Sequence, residues 1–235
     1  MKAIFSREVD AYFRSMLGYV FLTLFTLLGG AMFFFNNMMS MSASMTGFFS
    51  SMTSWSIFIL PILTMRLFAE DRKNKTEQLL LTSPVSVTEI VLGKFFGAMW
   101  VFLCVMAVFV FYPIVMNFFG NVPVAETVSC FVGFVLFCGA LVAIGAFMSA
   151  ITENQIIAAV ATYAVMLVVM FMPNIATMIG NEAFSNILMW LSPVNRFYDF
   201  TMGILNLESV VYYLSLIGVM LFLTVRVFEK RRFSR

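Results

Sequence analysis

Six apolar stretches, each free of ionisable side chains near its centre, constrain this sequence more than anything else in it. They run roughly over Gly18–Phe35, Gly47–Leu67, Phe95–Val115, Val128–Met148, Gln155–Pro173 and Val210–Val227. About 20 apolar residues carry a helix across the hydrocarbon core of a bilayer. Hydrophobic residues make up 62% of the 235 and charged residues only 11%, against roughly a quarter charged in a typical soluble domain. A soluble fold of this length could not hide that much apolar surface. The expected fold is an all-α membrane protein with six transmembrane helices.

The charges set its orientation. Lys2, Arg7 and Arg14 precede the first span, and Arg66, Arg72, Lys73, Lys75 and Lys94 surround the second connection. Arg226, Lys230, Arg231, Arg232 and Arg235 close the chain. With six spans all of these fall on one side, and of the 14 basic residues only Arg196 is left on the other. By the positive-inside rule the basic side is the cytoplasm, so both termini are expected inside. Arg66 and Lys94 lie near the inner ends of their spans, where long side chains can snorkel to the interface.

Residues 1–17 carry Glu8 and Asp10 among their basic residues, and no A-x-A-like site follows the apolar run, unlike a cleaved signal peptide. On a helix, Phe5, Val9, Tyr12, Phe13 and Met16 form one stripe, with Arg7, Asp10 and Arg14 opposite. Such a helix is expected to lie in the membrane interface, ahead of a single six-helix domain over 18–235. Pro61 and Pro113 fall inside apolar stretches and predict kinks.

Two connections carry information. The second, residues 70–93, is the only sizeable cytoplasmic loop. Thr76 to Leu81 reads as a short helix ended by Thr82-Ser83-Pro84, and Ser86 with Glu89 forms a capping box that starts the next helix. A charged helix–break–helix of this kind could dock onto a soluble partner, and it could equally be a solvated connector. The fifth connection, 174–209, faces outside yet stays apolar through Ile187, Leu188, Met189, Trp190 and Leu191. It is expected to fold back as short re-entrant helices in the outer leaflet, where protein covers the backbone.

The same inventory narrows function. There is no histidine, which removes the commonest general base and a common metal ligand. No GxxxxGK[ST] loop offers an ATP site, and a catalytic or metal site is not expected. Cys104, Cys130 and Cys138 sit in apolar segments and read as buried thiols. The spans carry no ionisable group at mid-membrane, which argues against an ion-coupled carrier, and nothing points to nucleic acid.

Glu70 through Leu92 resembles the loop after the second span of ABC-2 type permeases, whose usual form is E-E-…-G-T-x-E-L-L-L-T-x-P-V. Here it reads Glu77-Gln78-Leu79-Leu80-Leu81-Thr82-Ser83-Pro84-Val85, with Lys75 where the family carries Gly. Gly145 through Ile156 is similar to that family's junction between the fourth and fifth spans. Ser192-Pro193 through Phe200, Gly203-Ile204-Leu205, Tyr212-Tyr213-Leu214 and Glu229-Lys230-Arg231-Arg232 resemble its final third. The likeness runs nearly the whole chain and is strongest to the gliding-motility and nitrous-oxide-reductase-maturation branch.

The resemblance implies a permease that pairs with a second permease chain, identical or paralogous, and works with two copies of a separate ATPase that binds ATP and Mg. The ATPase would grip a cytoplasmic coupling helix and the N-terminal helix, through Glu70, Asp71, Glu77, Leu79, Leu80, Leu81 and Pro84 together with Arg7 and Arg14. In the family the second and fifth spans face each other across the dimer. Here the second carries Ser50, Thr53 and Ser54 and the fifth Thr162, Met166 and Met170, a methionine-bearing route suited to a lipid-like or amphiphilic cargo; the same residues would serve as ordinary helix contacts. The expected function is the permease subunit of an ATP-driven exporter in the inner membrane of a bacterium. The alternative is a non-transporting scaffold that passes ATPase motion to an extracytoplasmic accessory protein. Membrane lipids are partners in either case, and the basic tail from Arg226 favours anionic ones.

Overall fold

The structure, a computed structural model, describes residues 1–76, 85–178 and 182–233. Among these every regular element is helical: α1 (Lys2–Phe13), α2 (Met16–Phe33), α3 (Thr46–Thr64), α4 (Ala69–Lys73), α5 (Val87–Phe109), α6 (Phe111–Met116), α7 (Val124–Ile151), α8 (Gln155–Met178), α9 (Glu182–Leu191), α10 (Pro193–Thr201) and α11 (Leu207–Phe233). Six segments are long and apolar enough to cross a membrane: Met16–Met38, Thr46–Lys73, Val87–Met116, Val124–Ile151, Gln155–Met178 and Leu207–Lys230.

The first span is longer than the apolar run predicts because a π-helical turn, Phe34–Met38, extends it. Asn37 in that turn is buried and donates to the carbonyls of Ser42 (3.0 Å) and Ser44 (2.9 Å), so the amide shapes the loop that follows. In the third span the predicted kink appears as a break at Val110 between α5 and α6. Pro113 has no N–H to give the Phe109 carbonyl four residues back, and its ring crowds that carbonyl. The second span accommodates Pro61 within α3.

The fourth span, α7, is the hub, packing against α3, α5, α8, α10 and α11. Bilayer lipid is as apolar as leucine, so helices in it are held by close packing and small residues rather than by a hydrophobic drive. The α7 sequence supplies them: Gly133, Gly139, Ala140, Ala143, Gly145 and Ala146 are all buried. A Cβ added at Gly133 would lie 2.4 Å from Phe200 Cγ of α10, so the glycine is the socket for that ring. Phe197 and Tyr213 pack tilted against that ring, and Phe25, Phe102 and Phe134 pack edge-on or tilted on one another. The connection after the fifth span forms two short helices, α9 and α10, and α10 packs into α7 and α11.

The N-terminal helix packs differently from its apolar stripe. Ile4, Glu8 and Tyr12 are its buried residues, whereas Phe5, Val9 and Phe13 are half-covered and Met16 is exposed. The reason lies in α5, where Gly93 and Gly97 share a face one turn apart. A Cβ on Gly93 would meet Ile4 Cγ2 at 2.9 Å, and one on Gly97 would meet Glu8 Cβ at 2.8 Å. The helix therefore turns Ile4 and Glu8 into this glycine groove.

Candidate functional site

At the end of the helical body that carries nearly all the basic residues, α1, α4 and the start of α5 enclose a polar cavity of about 240 Å³ lined by Arg7, Glu8, Arg66, Glu70, Asp71 and Lys94 among others. Its centre is Lys94, only 2% exposed. The ammonium lies 2.9 Å from Glu8 Oε1 and 2.6 Å from Asp71 Oδ2, and donates to the Leu67 carbonyl at 2.6 Å. Two N–H groups are given to Glu8 Oε1 and the Leu67 carbonyl, and Asp71 Oδ2 is held as an ion pair. Arg7 closes the ring from the outside, with Nη2 2.8 Å from Glu8 Oε1 and 3.6 Å from Asp71 Oδ2. Partial burial pulls the Arg7 guanidinium down, but Glu8 and Asp71 outweigh it and hold it above its usual value. Two cations and two carboxylates thus neutralise one another across three helices.

A second tie lies beside the first. Arg66 pairs through Nε with Glu70 at 2.8 Å, donates to Ser15 Oγ, and lies 4.9 Å over the Tyr12 ring. The Tyr12 hydroxyl donates to the Leu63 carbonyl at 2.8 Å. Burial, reinforced by Glu8, pushes this phenol well above its ordinary value, so it stays a neutral donor. Lys94 and Arg66 accordingly do not snorkel outward as their positions predict. Both turn inward, because carboxylates and carbonyls from neighbouring helices surround them and water is not needed to satisfy them.

The third tie reaches the hub. Ser149 of α7, fully buried, donates to the Met65 carbonyl (3.1 Å) and accepts from the Phe68 and Ala69 amides (3.1 Å each). It satisfies the backbone between α3 and α4, inside the second span. Arg72 of α4 pairs with Glu153 in the turn between the fourth and fifth spans. The short helix α4, the last turn of the second span, is therefore bonded to the N-terminal helix, to α5 and to the α7–α8 turn. No redox or acid–base chemistry follows from this arrangement. What it shows is continuity: side-chain bonds join α1 and α4 to α3, α5 and α7.

Of the residues expected to meet a partner, Arg7, Glu70 and Asp71 come together here. Asp71 spends its carboxylate internally, while Arg7 stays nearly half exposed. Arg14 is exposed and is not among the side chains that meet in the cluster. Glu77, Leu79, Leu80, Leu81 and Pro84 lie outside the described residues. The capping residue Ser86 does accept from the Glu89 amide at 3.3 Å. Glu8, Lys94 and Ser149 were missed as members of the site. Ile4, Glu8 and Tyr12 recur every four residues, as Gly93 and Gly97 do, but nothing in that spacing marks Glu8 for burial.

Lys75 has φ +59°, in the left-handed region that costs a side-chain-bearing residue roughly 1–2 kcal/mol. The substitution Lys75→Gly is expected to be neutral or to stabilise the protein by about 1 kcal/mol, read as a raised midpoint of thermal unfolding in detergent; a lowered midpoint would contradict this backbone geometry.

The hydroxyls and methionines of the second and fifth spans separate into two sets. Thr53 and Thr162 are buried and donate to the carbonyls four residues back, Phe49 (2.8 Å) and Ala158 (2.7 Å). Met166 is fully buried. The spans pack together within one chain, with Tyr163 donating to the Phe58 carbonyl at 2.7 Å. Ser50 and Met170 are half-buried, and Ser54 is exposed.

A family model described as ABC-2 family transporter protein matches residues 40–228. A search of curated proteins finds none that matches the chain. The matched region takes in five of the six spans, α4 and both short helices after the fifth span, and on that match the chain belongs to the ABC-2 family of transporter proteins.

Proposed function

We propose that this chain is the permease subunit of an ATP-binding-cassette exporter, with its termini in the cytoplasm and ATP and Mg bound by two copies of a separate ATPase. The observation that carries the reading is the triple bonding of α4, a device that joins the cytoplasmic surface to three spans. In this scheme the ATPase grips residues 70–84 and the N-terminal helix, with Arg7, Arg14, Glu70 and Glu77 as its charged contacts. Closure of the nucleotide domains then rotates the junction as one piece. A second permease chain, identical or paralogous, completes the path. The cargo is lipid-like or amphiphilic, in keeping with a chain that holds 20 methionines and 29 phenylalanines. Ser50, Ser54 and Met170 are the path residues open to it, while Thr53, Thr162 and Met166 set the helix contact behind them.

Proteoliposomes holding both subunits test this. Glu77→Lys or Leu80→Asp is expected to lower ATP-dependent transport roughly 5- to 150-fold, the span of a coupling free energy of about 1–3 kcal/mol, with membrane insertion unchanged. Full coupling in both variants would remove the grip from this loop. The scaffold reading rests on one observation, the exposed apolar face of α9 formed by Phe184, Ile187 and Trp190. It would prevail if the complex moved no cargo and its ATPase rate responded to an extracytoplasmic protein.

A further inference from the structure

A second concavity lies on the membrane-facing side of the same junction. α1 lies alongside α5 through Gly93 and Gly97, and beside this contact a groove of about 490 Å³ opens between them. Phe5, Phe96, Met99, Trp100 and Leu103 wall it, and Lys2 stands at its margin. From Phe96 to Leu103 the groove rises about 10 Å at 1.5 Å per residue, away from Lys94 and toward the middle of the span. Phe5 meets Trp100 edge-on at 6.1 Å, which fixes the mouth, yet Trp100 is 50% exposed and Phe96 45%. An apolar trough on a membrane-spanning helix faces acyl chains, and an exposed lysine at its headgroup end adds charge complementarity.

We propose that this groove holds one anionic phospholipid, an acyl chain lying along Phe96 to Leu103 and the phosphate meeting Lys2. It is a resident lipid at the back of the N-terminal helix, separate from any cargo path, and it wedges α1 against α5. A basic side chain near an anionic surface favours anionic over zwitterionic lipid by about fivefold, and Lys2 supplies that preference while the aromatic walls supply the chain contact.

The chain has three tryptophans, so Trp55→Phe with Trp190→Phe leaves Trp100 as the reporter. The full chain, reconstituted in phosphatidylcholine vesicles, is titrated with dibrominated phosphatidylglycerol or dibrominated phosphatidylcholine, whose bromines quench indole on contact. Trp100 is expected to be half-quenched at about fivefold lower mole fraction of the glycerol lipid. In Lys2→Gln the two titrations should coincide while quenching itself persists. Equal titrations in the parent would overturn the headgroup assignment. Absence of quenching by both lipids would mean that protein, a second copy or a partner helix, covers the groove, and would overturn the proposal altogether.

Discussion

Lys94→Met is expected to destabilise the protein by about 3–5 kcal/mol, the cost of leaving buried charge uncompensated. The magnitude follows from what stays behind. Glu8 and Asp71 both point at the vacated ammonium, and Arg7 lies on one side of them only, at 2.8 and 3.6 Å. The Leu67 carbonyl loses its donor as well. Glu70→Gln is the matched contrast. Its partner Arg66 is buried, but Glu70 is about a third exposed, so water replaces much of what is lost and the effect should stay near 1 kcal/mol. Thermal unfolding in one detergent ranks the two variants, and a local probe shows where the damage falls. A cysteine replacing Ile4, buried against Gly93, should be protected from a maleimide in the parent and labelled in the Lys94→Met background. Adding Glu8→Gln and Asp71→Asn removes both stranded charges and should recover most of the loss. If Lys94→Met costs no more than Glu70→Gln, the ammonium is not the centre of the junction.

The contrast between what the sequence disclosed and what it withheld follows from the range of the forces involved. Span number and the sidedness of the charges are properties of runs of residues, and any membrane helix must show them. Local turn chemistry was equally legible: Ser86 caps α5, and Pro113 breaks the third span. The buried face of α1 was not, because amphipathicity ranks Glu8 as a residue to be turned away from contact. Neighbouring Arg7 covers one side of it, but the buried partner is Lys94, 86 positions later, and no periodicity within α1 can report a partner so distant. Lys75 is an intermediate case. Its place where the resembled loop carries Gly was visible, and φ +59° is a conformation that glycine adopts without strain. Thr53 and Thr162 read as path residues, but each hydroxyl is satisfied by its own helix and so demands no channel.

Three glycines, given the same added methyl group, should respond in three ways. At Gly145 the new Cβ would lie 2.2 Å from Thr64 Oγ1, 2.6 Å from its Cβ and 2.9 Å from its Cγ2. No rotamer relieves a clash with a Cβ, so α3 and α7 must part, and Gly145→Ala is expected to cost about 3 kcal/mol, the upper part of the overpacking range. Thr64→Ala in the same chain deletes two of the three offending atoms and should recover only part of the loss. At Gly139 the nearest atoms are Ile217 Cδ1 at 3.3 Å and Met99 Cε at 3.6 Å, the ends of flexible side chains; Gly139→Ala should cost under about 1 kcal/mol. At Gly218 nothing lies within 4 Å, and Gly218→Ala should be neutral or stabilise by roughly 0.5–1 kcal/mol through lower backbone freedom. Thermal midpoints measured side by side test the order. The first substitution should also reach beyond stability, since Gly145 stands one turn before Ser149, whose hydroxyl holds the Met65 carbonyl and the first amides of α4. Widening the α3–α7 seam pulls that hydroxyl away from its partners. ATP-driven transport per folded molecule should therefore fall in Gly145→Ala and hold in Gly139→Ala, and equal rates in the two would show that the seam packs the helices without carrying motion from α4 into the spans.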